Sequence, residues 1–272
     1  MASRQVARPN SFIFTLFGDY VGIHNRLWVG SLIRLMAQFG LSEQAVRQAV
    51  SRMSRQGWLQ AERSGNRSYY SLTEHGGERV RQISPRIYEP IVEWDGRWRM
   101  LVFRPPVTRR ARGDRLRKDL AVLGFAPLTG TIWLSPADAI DAASETAHAH
   151  DLLDRIDQFT AQYDGPLSDR RLLERCWDLP AIAKSYDEFI AHYRPRLREE
   201  RERGTLSSEG AFVERLWLVH DFRRFAYLDP GLPSTLLPAH WPGTIASALF
   251  REYYAAIAKK AQRFFASQLE PR

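Results

Sequence analysis

The spacing of apolar and polar positions is most regular between residues 42 and 57, where it has the period of an α-helix. With residues placed 100° apart, the apolar side chains fall on one narrow stripe: Val46, Ala49, Val50 and Met53. The opposite stripe carries amide, hydroxyl and cationic side chains: Gln44, Arg47, Gln48, Ser51 and Arg55. Ser42 is a favourable N-cap residue and Gly57 a favourable helix stop. The pattern predicts a helix with one face in a core and the other open to solvent.

A second helix is predicted immediately before this one. Residues Trp28 to Phe39 place large apolar side chains at helical spacing, and Gly40 ends the pattern. The order of helix, short glycine turn and helix is that of a helix-turn-helix motif. Closer to the N-terminus, Ser11 is positioned to cap a first helix that extends to about Phe17.

Two short alternating runs follow the second helix of this motif, and they predict a β-hairpin. The runs are Trp58 to Arg63 and Ser68 to Leu72, and the segment Ser64-Gly65-Asn66-Arg67 separates them. A hairpin in this position is the wing of a winged helix. Its tip offers side chains suited to phosphates or to an adjacent minor groove: Arg63, Asn66 and Arg67. Thr73 then caps a last short helix, after which Pro85 and Pro90 indicate a linker.

The distribution of charge supports a nucleic-acid partner for this part of the chain. Residues 1–90 carry twelve arginines and no lysine against six acidic residues, whereas the other 182 residues carry 27 basic and 25 acidic ones. Between Glu43 and Glu62 there is no acidic residue. Because arginine pairs well with guanine and glutamine with adenine, we interpret this third as a DNA-binding domain. The alternative is a purely structural or protein-binding winged domain.

The expected DNA contacts come from the helix and from the hairpin tip. Near the bases we expect the residues on the polar stripe, with the capping serine at their start: Ser42, Gln44, Arg47, Gln48 and Ser51. Arg52 and Arg55 are expected to meet phosphates.

Composition and motif searches remove several other classes of protein. The chain has 272 residues, 44% of them hydrophobic, which is enough for two or three domains with real cores. No run of eighteen apolar residues exists, so we expect no membrane span and a cytoplasmic protein. Cys176 has no second cysteine to pair with, and we expect it to be a small buried residue. No Walker A loop, dinucleotide fingerprint, zinc-protease helix or nucleophile elbow is present, and we expect no metal site and no enzyme.

The middle of the chain has the element order β-α-β-β-α-β, which predicts a ferredoxin-like unit. The expected elements are a strand at 98–103, a helix at 108–123, a hairpin at 125–134, a helix at 136–147 and a strand within 154–163. The first helix is basic. Its arginines form either a solvated face or a second contact for DNA backbone or a phosphate-bearing ligand.

From Leu167 onward the spacing is helical, including a last helix from about Thr244 to Gln268. We expect one helix to carry His220, Asp221, Arg223 and Arg224. Because adjacent residues such as His220 and Asp221 point about 100° apart on a helix, we do not expect a catalytic pair. The fold class expected for the whole chain is therefore α+β. The expected domains are a winged helix-turn-helix at 1–88, a ferredoxin-like domain at 89–165 and a helical domain at 166–272.

The chain resembles the PaaX family, repressors of bacterial phenylacetate degradation operons. The matching motifs extend over nearly its whole length: Phe12 to Tyr20 (FIFTLFGDY), Trp28 to Leu41, Ser42 to Trp58 (SEQAVRQAVSRMSRQGW), Arg67 to Thr73 (RSYYSLT), Trp98 to Phe103, Leu123 to Pro136 (LGFAPLTGTIWLSP), Leu218 to Arg224 (LVHDFRR) and Asp229 to Gly243 (DPGLPSTLLPAHWPG). The resemblance implies a winged helix, a ferredoxin-like domain and a helical domain, and a dimeric repressor that an aryl-acyl-CoA such as phenylacetyl-CoA releases from DNA.

The resemblance implies no catalytic residues. The central domain looks like small CRISPR-associated endonucleases that bind metal through an aspartate at the end of their first strand. Here that strand ends in Val102-Phe103-Arg104-Pro105, without an acid, so nuclease activity is not expected.

No ligand motif can be transferred residue by residue. A CoA thioester carries phosphates and needs arginine or lysine near an aromatic cleft. The candidates of these types, with one histidine, are Arg99, Arg104, Trp133, Trp177, His220, Arg223 and Arg224. Two alternatives stay open: an enzyme built on the central and C-terminal domains, either a degenerate metal-dependent nuclease or an acyl-CoA hydrolase, and a DNA-bridging protein without a ligand.

Overall fold

A computed structural model describes residues 8–89, 93–106, 110–229 and 231–269, and it has the mixed α+β class that the sequence predicts. Its contacts divide the chain into two units. The first unit consists of Met1–Ser84, Ile190–Phe222 and Ser247–Arg272. The second consists of Pro85–Phe189 and Arg223–Ala246. Each unit is built from segments distant in sequence, and the domain boundaries expected at 88 and 165 stay predictions.

The N-terminal part of the first unit alternates short helices with a small sheet. Its elements are α1 (Pro9–Leu16), β1 (Arg26–Trp28), α2 (Val29–Ala37), α3 (Glu43–Arg55), β2 (Leu59–Ser64), β3 (Arg67–Leu72) and α4 (Glu74–Tyr88). The prediction that Ser11 caps the first helix is wrong. Pro9 begins α1, because a proline in the first turn has no N–H that would need a partner there. A π-helical turn, Phe17–Val21, extends α1 past its predicted end.

The predicted turn between α2 and α3 is confirmed. Gly40 adopts φ +73°, a left-handed conformation that glycine reaches without strain, and it ends the turn after α2. Ser42 Oγ accepts a hydrogen bond from the Ala45 amide at 3.2 Å and so caps α3. At the other end, the Trp58 amide donates to the Met53 carbonyl at 2.9 Å, across Gly57. These bonds fix where α3 begins and ends.

The hairpin after α3 is also confirmed, with an additional strand. Strands β2 and β3 pair antiparallel, and β1 pairs with the other side of β3, so the sheet order is β1-β3-β2. Strand β1 is not predicted by the sequence, because a strand of this length has no alternation to detect, and its last residue, Trp28, was wrongly predicted as the start of a helix. It places Trp28 opposite Tyr69.

The helix after the hairpin is longer than predicted. Thr73 Oγ1 accepts a hydrogen bond from the Gly76 amide at 3.0 Å, which confirms the predicted cap. The helix α4 then continues to Tyr88 with Pro85 inside it, so the linker predicted at Pro85 is wrong. Pro90, the other residue used for that prediction, lies outside the described residues.

Long helices complete the first unit, and α9 (Ser208–Phe222) packs against α1. The ring of Phe12 lies 4.5 Å from that of Trp217 and 4.2 Å from that of His220, measured between centroids. The helices α8 (Leu179–Arg203) and α11 (Pro242–Gln268) each have residues in both units. The helix α11 begins at Pro242, two residues before its predicted start at about Thr244.

A buried ion pair joins α9 to the π-helical turn of the first unit. Arg215 Nε lies 2.9 Å from Asp19 Oδ2, and the two side chains are only 8% and 1% exposed. Tyr254 OH donates to Asp19 Oδ1 at 2.7 Å, and the Arg215 guanidinium lies 4.4 Å from the centre of the Tyr20 ring. Burial lowers the pKa of Arg215, but the charge of Asp19, its hydrogen bond and the neighbouring Tyr20 and Tyr254 together raise the pKa by more. The guanidinium therefore stays charged inside the unit.

The second unit contains the predicted ferredoxin-like arrangement. Its elements are β4 (Trp98–Phe103), α5 (Arg110–Val122), β5 (Ala126–Pro127), β6 (Ile132–Ser135), α6 (Ile140–Ala149) and β7 (Ile156–Ala161). All strand pairs are antiparallel, in the order β5-β6-β4-β7. Alternate residues of β4, Leu101 and Phe103, face a core that includes Leu116 and Leu120 of α5. Thr108 and Arg109, predicted to start α5, lie outside the described residues.

The helical elements α7 (Asp169–Cys176) and α10 (Phe225–Leu228) also belong to the second unit. The sequence placed His220, Asp221, Arg223 and Arg224 on one helix, and this is wrong because α9 ends at Phe222. Within the part of the chain that the structure describes, none of the helices has the length and apolar character needed to cross a bilayer.

We predict that Asp19→Asn destabilises the protein strongly. The substitution leaves Arg215 buried without its counter-charge, and losing one partner of a buried ion pair costs about 3–5 kcal/mol. Urea-induced unfolding followed by tryptophan fluorescence measures the change. The control is Glu43→Gln, which removes an exposed ion pair with Arg47 and should cost less than about 1 kcal/mol. Equal losses in the two variants would contradict the prediction.

Candidate nucleic-acid interface

The two faces of α3 differ completely in exposure. The apolar stripe is buried: Val46, Ala49, Val50 and Met53 are at most 2% exposed. The polar residues are exposed, and we refer to them as the α3 outer face: Gln44, Arg47, Gln48, Ser51, Arg52 and Arg55. The sequence therefore predicted correctly which side of the helix meets solvent. The outer face presents donors of the kind that bind base edges and phosphates.

The arginines of the outer face have weak partners or none. Arg47 Nε lies 2.8 Å from Glu43 Oε1, in an exposed pair. Arg52 Nη2 donates to Asn10 Oδ1 at 3.3 Å. Arg55 makes no ion pair with any described residue. Because an exposed ion pair contributes only about 0–1 kcal/mol, Arg47 can leave Glu43 for a stronger acceptor.

The hairpin tip adds three exposed polar residues to the same unit. Gly65 adopts φ +57° in the turn, and Asn66 follows it. Arg63, Asn66 and Arg67 are all exposed. The guanidinium of Arg67 lies 5.3 Å from the centre of the Trp28 ring, at a distance typical of a cation–π contact. This contact restricts Arg67 without neutralising its charge.

Sequence reasoning missed the residues that β1 brings beside the hairpin. The guanidinium of Arg34 lies 5.2 Å from the Trp28 ring, and that of Arg26 lies 4.6 Å from the Tyr69 ring. Arg26 also forms an ion pair with Glu62. Neither arrangement leaves a periodic signal in the sequence, because the turn from β1 into α2 brings Arg34 to Trp28 and the pairing of β1 with β3 brings Arg26 to Tyr69. The acids that bracket the arginine-rich segment, Glu43 and Glu62, thus each lie beside an arginine.

The candidate ligand residues on the central sheet are occupied by protein contacts. Arg99 is buried, and its guanidinium lies 2.8 Å from Asp95 and 3.1 Å from Asp138. Burial opposes the charge of Arg99, but hydrogen bonds to Asp138 and Asp95 raise its pKa. Arg104 is exposed and lies 3.2 Å from Asp157. Trp133 is part of the hydrophobic core of the sheet.

The remaining candidates do not lie together. His220 belongs to the first unit, where its ring stacks on Phe12 and its Nδ1 lies 3.4 Å from Thr15 Oγ1. Arg224 is exposed and donates to the Ser185 carbonyl at 3.1 Å. Arg223 is largely enclosed, and this burial lowers its pKa. The structure thus divides the candidates between the two units, and their ligand contacts stay predictions.

Trp177 is the candidate that borders open space. It is buried at the edge of a cavity in the second unit, with Cys176 beside it. Cys176 is only half-buried, so the expectation of a fully buried cysteine is wrong. Burial still raises the pKa of its thiol to about 11, which keeps it protonated at neutral pH.

Family models match the chain in three consecutive stretches. A model described as PaaX-like protein matches residues 8–76, one described as PaaX protein central Cas2-like domain matches residues 92–173, and one described as PaaX-like protein C-terminal domain matches residues 177–267. Together they account for most of the chain and follow the order of its parts.

Individual proteins agree with these matches. The chain is 33% identical over 268 residues to a protein of Escherichia coli (strain K12) named transcriptional repressor PaaX, covering 96% of this chain and 84% of that relative. It also resembles the solved structure of an uncharacterized protein from Mycobacterium tuberculosis, with a TM-score of 0.55 and 23% identity. That match covers 96% of this chain and 100% of the other. The second similarity concerns the fold alone.

Proposed function

This chain belongs to the PaaX-like protein family, and we propose on that premise that it is a DNA-binding transcriptional repressor. The observation that carries the proposal is the α3 outer face, a solvent-exposed row of arginine, glutamine and serine opposite a fully buried apolar stripe. A relative that covers nearly the whole chain is named a repressor, which supports a regulator rather than an enzyme.

In the proposed complex, α3 enters the major groove of double-stranded DNA. Gln44, Arg47, Gln48 and Ser51 lie nearest the base edges, and Arg52 and Arg55 contact phosphates. Ser42, which caps the helix, is also included among the proposed DNA contacts, because a helix N-terminus suits a phosphate. The hairpin acts as a wing whose tip residues contact the backbone or the adjacent minor groove.

The proposed repressor acts as a homodimer. Two copies of α3 would lie about 34–36 Å apart, or a multiple of that, and contact successive major grooves on a pseudo-palindromic operator. Symmetry doubles the number of phosphate contacts, which raises both affinity and its dependence on salt.

The proposed effector is an aryl-acyl-CoA such as phenylacetyl-CoA, and the proposed target is an operon for phenylacetate breakdown. Both follow from the family resemblance. Release from DNA requires only that the thioester binds one conformer of the protein better than another. A difference of about 5.5 kcal/mol between its binding free energies for the two conformers would shift their ratio from 1:99 to 99:1.

A mobility assay on the promoter upstream of the chain's own gene tests the function. We expect the purified protein to retard this fragment at low nanomolar to micromolar concentration, and phenylacetyl-CoA to release it. Free phenylacetate and free coenzyme A are the controls and should release little. Retardation that no acyl-CoA relieves would contradict the effector, and equal retardation of unrelated DNA would contradict an operator-specific repressor.

We predict that Arg47→Ala weakens operator binding by about 1–3 kcal/mol and relaxes the preference at one base position. The reason is that the variant cannot make a bidentate pair of hydrogen bonds to a base edge. Binding measured on a set of operators with single base changes reveals the relaxed position. Arg198→Ala is the matched control, because Arg198 forms an exposed ion pair of the same helical spacing with Glu202. A decrease that is equal on random DNA would show that Arg47 contacts only the backbone.

We predict that Arg67→Ala weakens binding to all sequences alike. A cation that neutralises one phosphate releases about one counterion, so without Arg67 the slope of log affinity against log salt should flatten by about one unit. Binding measured between low and moderate salt gives the slope. The control Arg171→Ala removes an exposed, ion-paired arginine of α7 and should leave the slope as it is. An unchanged slope for Arg67→Ala would remove this residue from the phosphate contacts.

A further inference from the structure

A cavity of about 740 Å³ lies within the second unit. It is open to solvent on one side and is bounded by the end of α7, the start of α8 and the loop that precedes α11. Its volume falls in the range of about 300–1,000 Å³ that is typical of sites for small molecules. The family resemblance does not assign a function to these residues.

The walls of the cavity are mostly apolar and aromatic. Trp177 and Trp241 border it, and both are more than nine-tenths buried, so the cavity has fixed indole walls. The other apolar residues of its lining are Leu179, Pro180, Ala183, Pro238, Ala239 and Pro242. Proline and tryptophan lose little conformational freedom when a ligand binds. Such walls suit a flat or compact apolar group.

The loop that carries Trp241 is held by a buried carboxylate. Asp229 accepts hydrogen bonds from the amides of Gly231 at 3.0 Å and Leu232 at 2.9 Å, and from Tyr186 OH at 3.0 Å. The Tyr186 ring in turn lies 6.1 Å from the Trp241 ring, edge to face. Burial raises the pKa of Asp229. The network fixes the aromatic wall before any ligand arrives.

The backbone is strained at His240, which lies at the edge of the cavity next to Trp241. His240 has φ +61°, a left-handed conformation that non-glycine residues rarely adopt. Its side chain is exposed, and it lines the cavity. Strained residues of this kind tend to be retained where they orient a functional group.

The opening of the cavity offers one cation that an anionic group can pair with. Arg175 and His240 are the basic groups of the lining, and both are exposed. Of the two acids, Glu174 is engaged by Arg171 at 2.7 Å and Arg170 at 3.5 Å. Asp178 accepts a hydrogen bond from the Ala181 amide at 3.1 Å and so caps α8. The acidic charges are committed to protein groups, whereas Arg175 has no ion-pair partner among the described residues.

We propose that this cavity binds the effector, a molecule that joins an apolar acyl or aryl group to an anionic carrier. The apolar group lies between Trp177 and Trp241. The anionic part extends through the opening and lies near Arg175 and His240. The identity of the ligand as a regulator of DNA binding rests on the proposed function, whereas binding of such a molecule in this cavity does not.

Chain continuity gives the cavity a route to the DNA-binding unit. The first turn of α8 lines the cavity, and the residues of the same helix from Ile190 onward belong to the first unit. The helix α11 likewise begins at Pro242 in the lining, and its residues from Ser247 onward belong to the first unit. A ligand that moves the start of either helix therefore acts on an element that both units share.

The test is direct binding to the full-length protein without DNA. Intrinsic tryptophan fluorescence and calorimetry are followed on adding phenylacetyl-CoA, coenzyme A or phenylacetate. We expect phenylacetyl-CoA to bind best, because it alone supplies both the ring and the polyanionic carrier. Equal binding of coenzyme A would show that the apolar cavity is not used, and would overturn the proposal.

Two pairs of variants locate the site. Ala183→Phe fills the cavity without removing any packed side chain, and it should weaken phenylacetyl-CoA binding by about tenfold or more. Its matched control, Ala181→Phe, lies on the exposed surface of the same helix outside the lining. Arg175→Gln should weaken binding about threefold to tenfold, with a larger effect at low salt. Arg97→Gln, an exposed arginine outside the lining, is its control.

Measuring operator binding by the same variants distinguishes a wrong assignment of the cavity from a wrong proposed function. All four variants should bind the operator as the unaltered chain does, and only Ala183→Phe and Arg175→Gln should resist release by the thioester. If the protein binds the thioester in the cavity but not the operator, the proposed function fails and the cavity assignment stands. If the thioester releases Ala183→Phe and Arg175→Gln from DNA as readily as the controls, the assignment of the cavity is wrong.

Discussion

Burial of one narrow stripe of α3 is the constraint on which the rest of the interface depends. Val46 and Ala49 are fully enclosed, and this fixes the rotation of the helix about its axis. The intervening residues must then face solvent, whatever their charge. Water solvates the cationic and amide side chains there, and these are groups of the kind that bind phosphates and base edges. The same burial that stabilises the unit therefore also fixes the direction of its polar side chains.

The unit that carries α3 is completed by residues from the far end of the chain. Asp19 and Arg215 are 196 positions apart in sequence, yet they form one buried ion pair with Tyr254 beside it. Phe12 likewise packs on Trp217 and His220. A buried ion pair adds little net stability, but it admits few alternative partners, which favours a single arrangement of the helices around α1.

Two helices contain residues of the cavity lining as well as residues of the unit that carries α3. Each of the helices α8 and α11 starts at the cavity and continues among residues of the first unit. A helix transmits a displacement along its axis because hydrogen bonds join its successive turns, and in α8 Pro195 removes one of these bonds. The regulation that we propose needs no contact between ligand and DNA, only a difference in affinity between two positions of these helices.

The sequence by itself determined the elements whose signals are local. The spacing of residues near one another sets the periodicity of α3, the caps at Ser42 and Thr73 and the stops at Gly40 and Gly57. It also sets the order in which the central strands and helices follow one another along the chain. Tertiary structure alone decided what depends on distant segments. It added β1 to the hairpin and carried α4 through Pro85. It also paired Arg99 with Asp138 and placed Trp177 with Trp241 around one cavity. Contacts of this kind leave no periodic trace, because they are set by how separate elements pack rather than by neighbours along the chain.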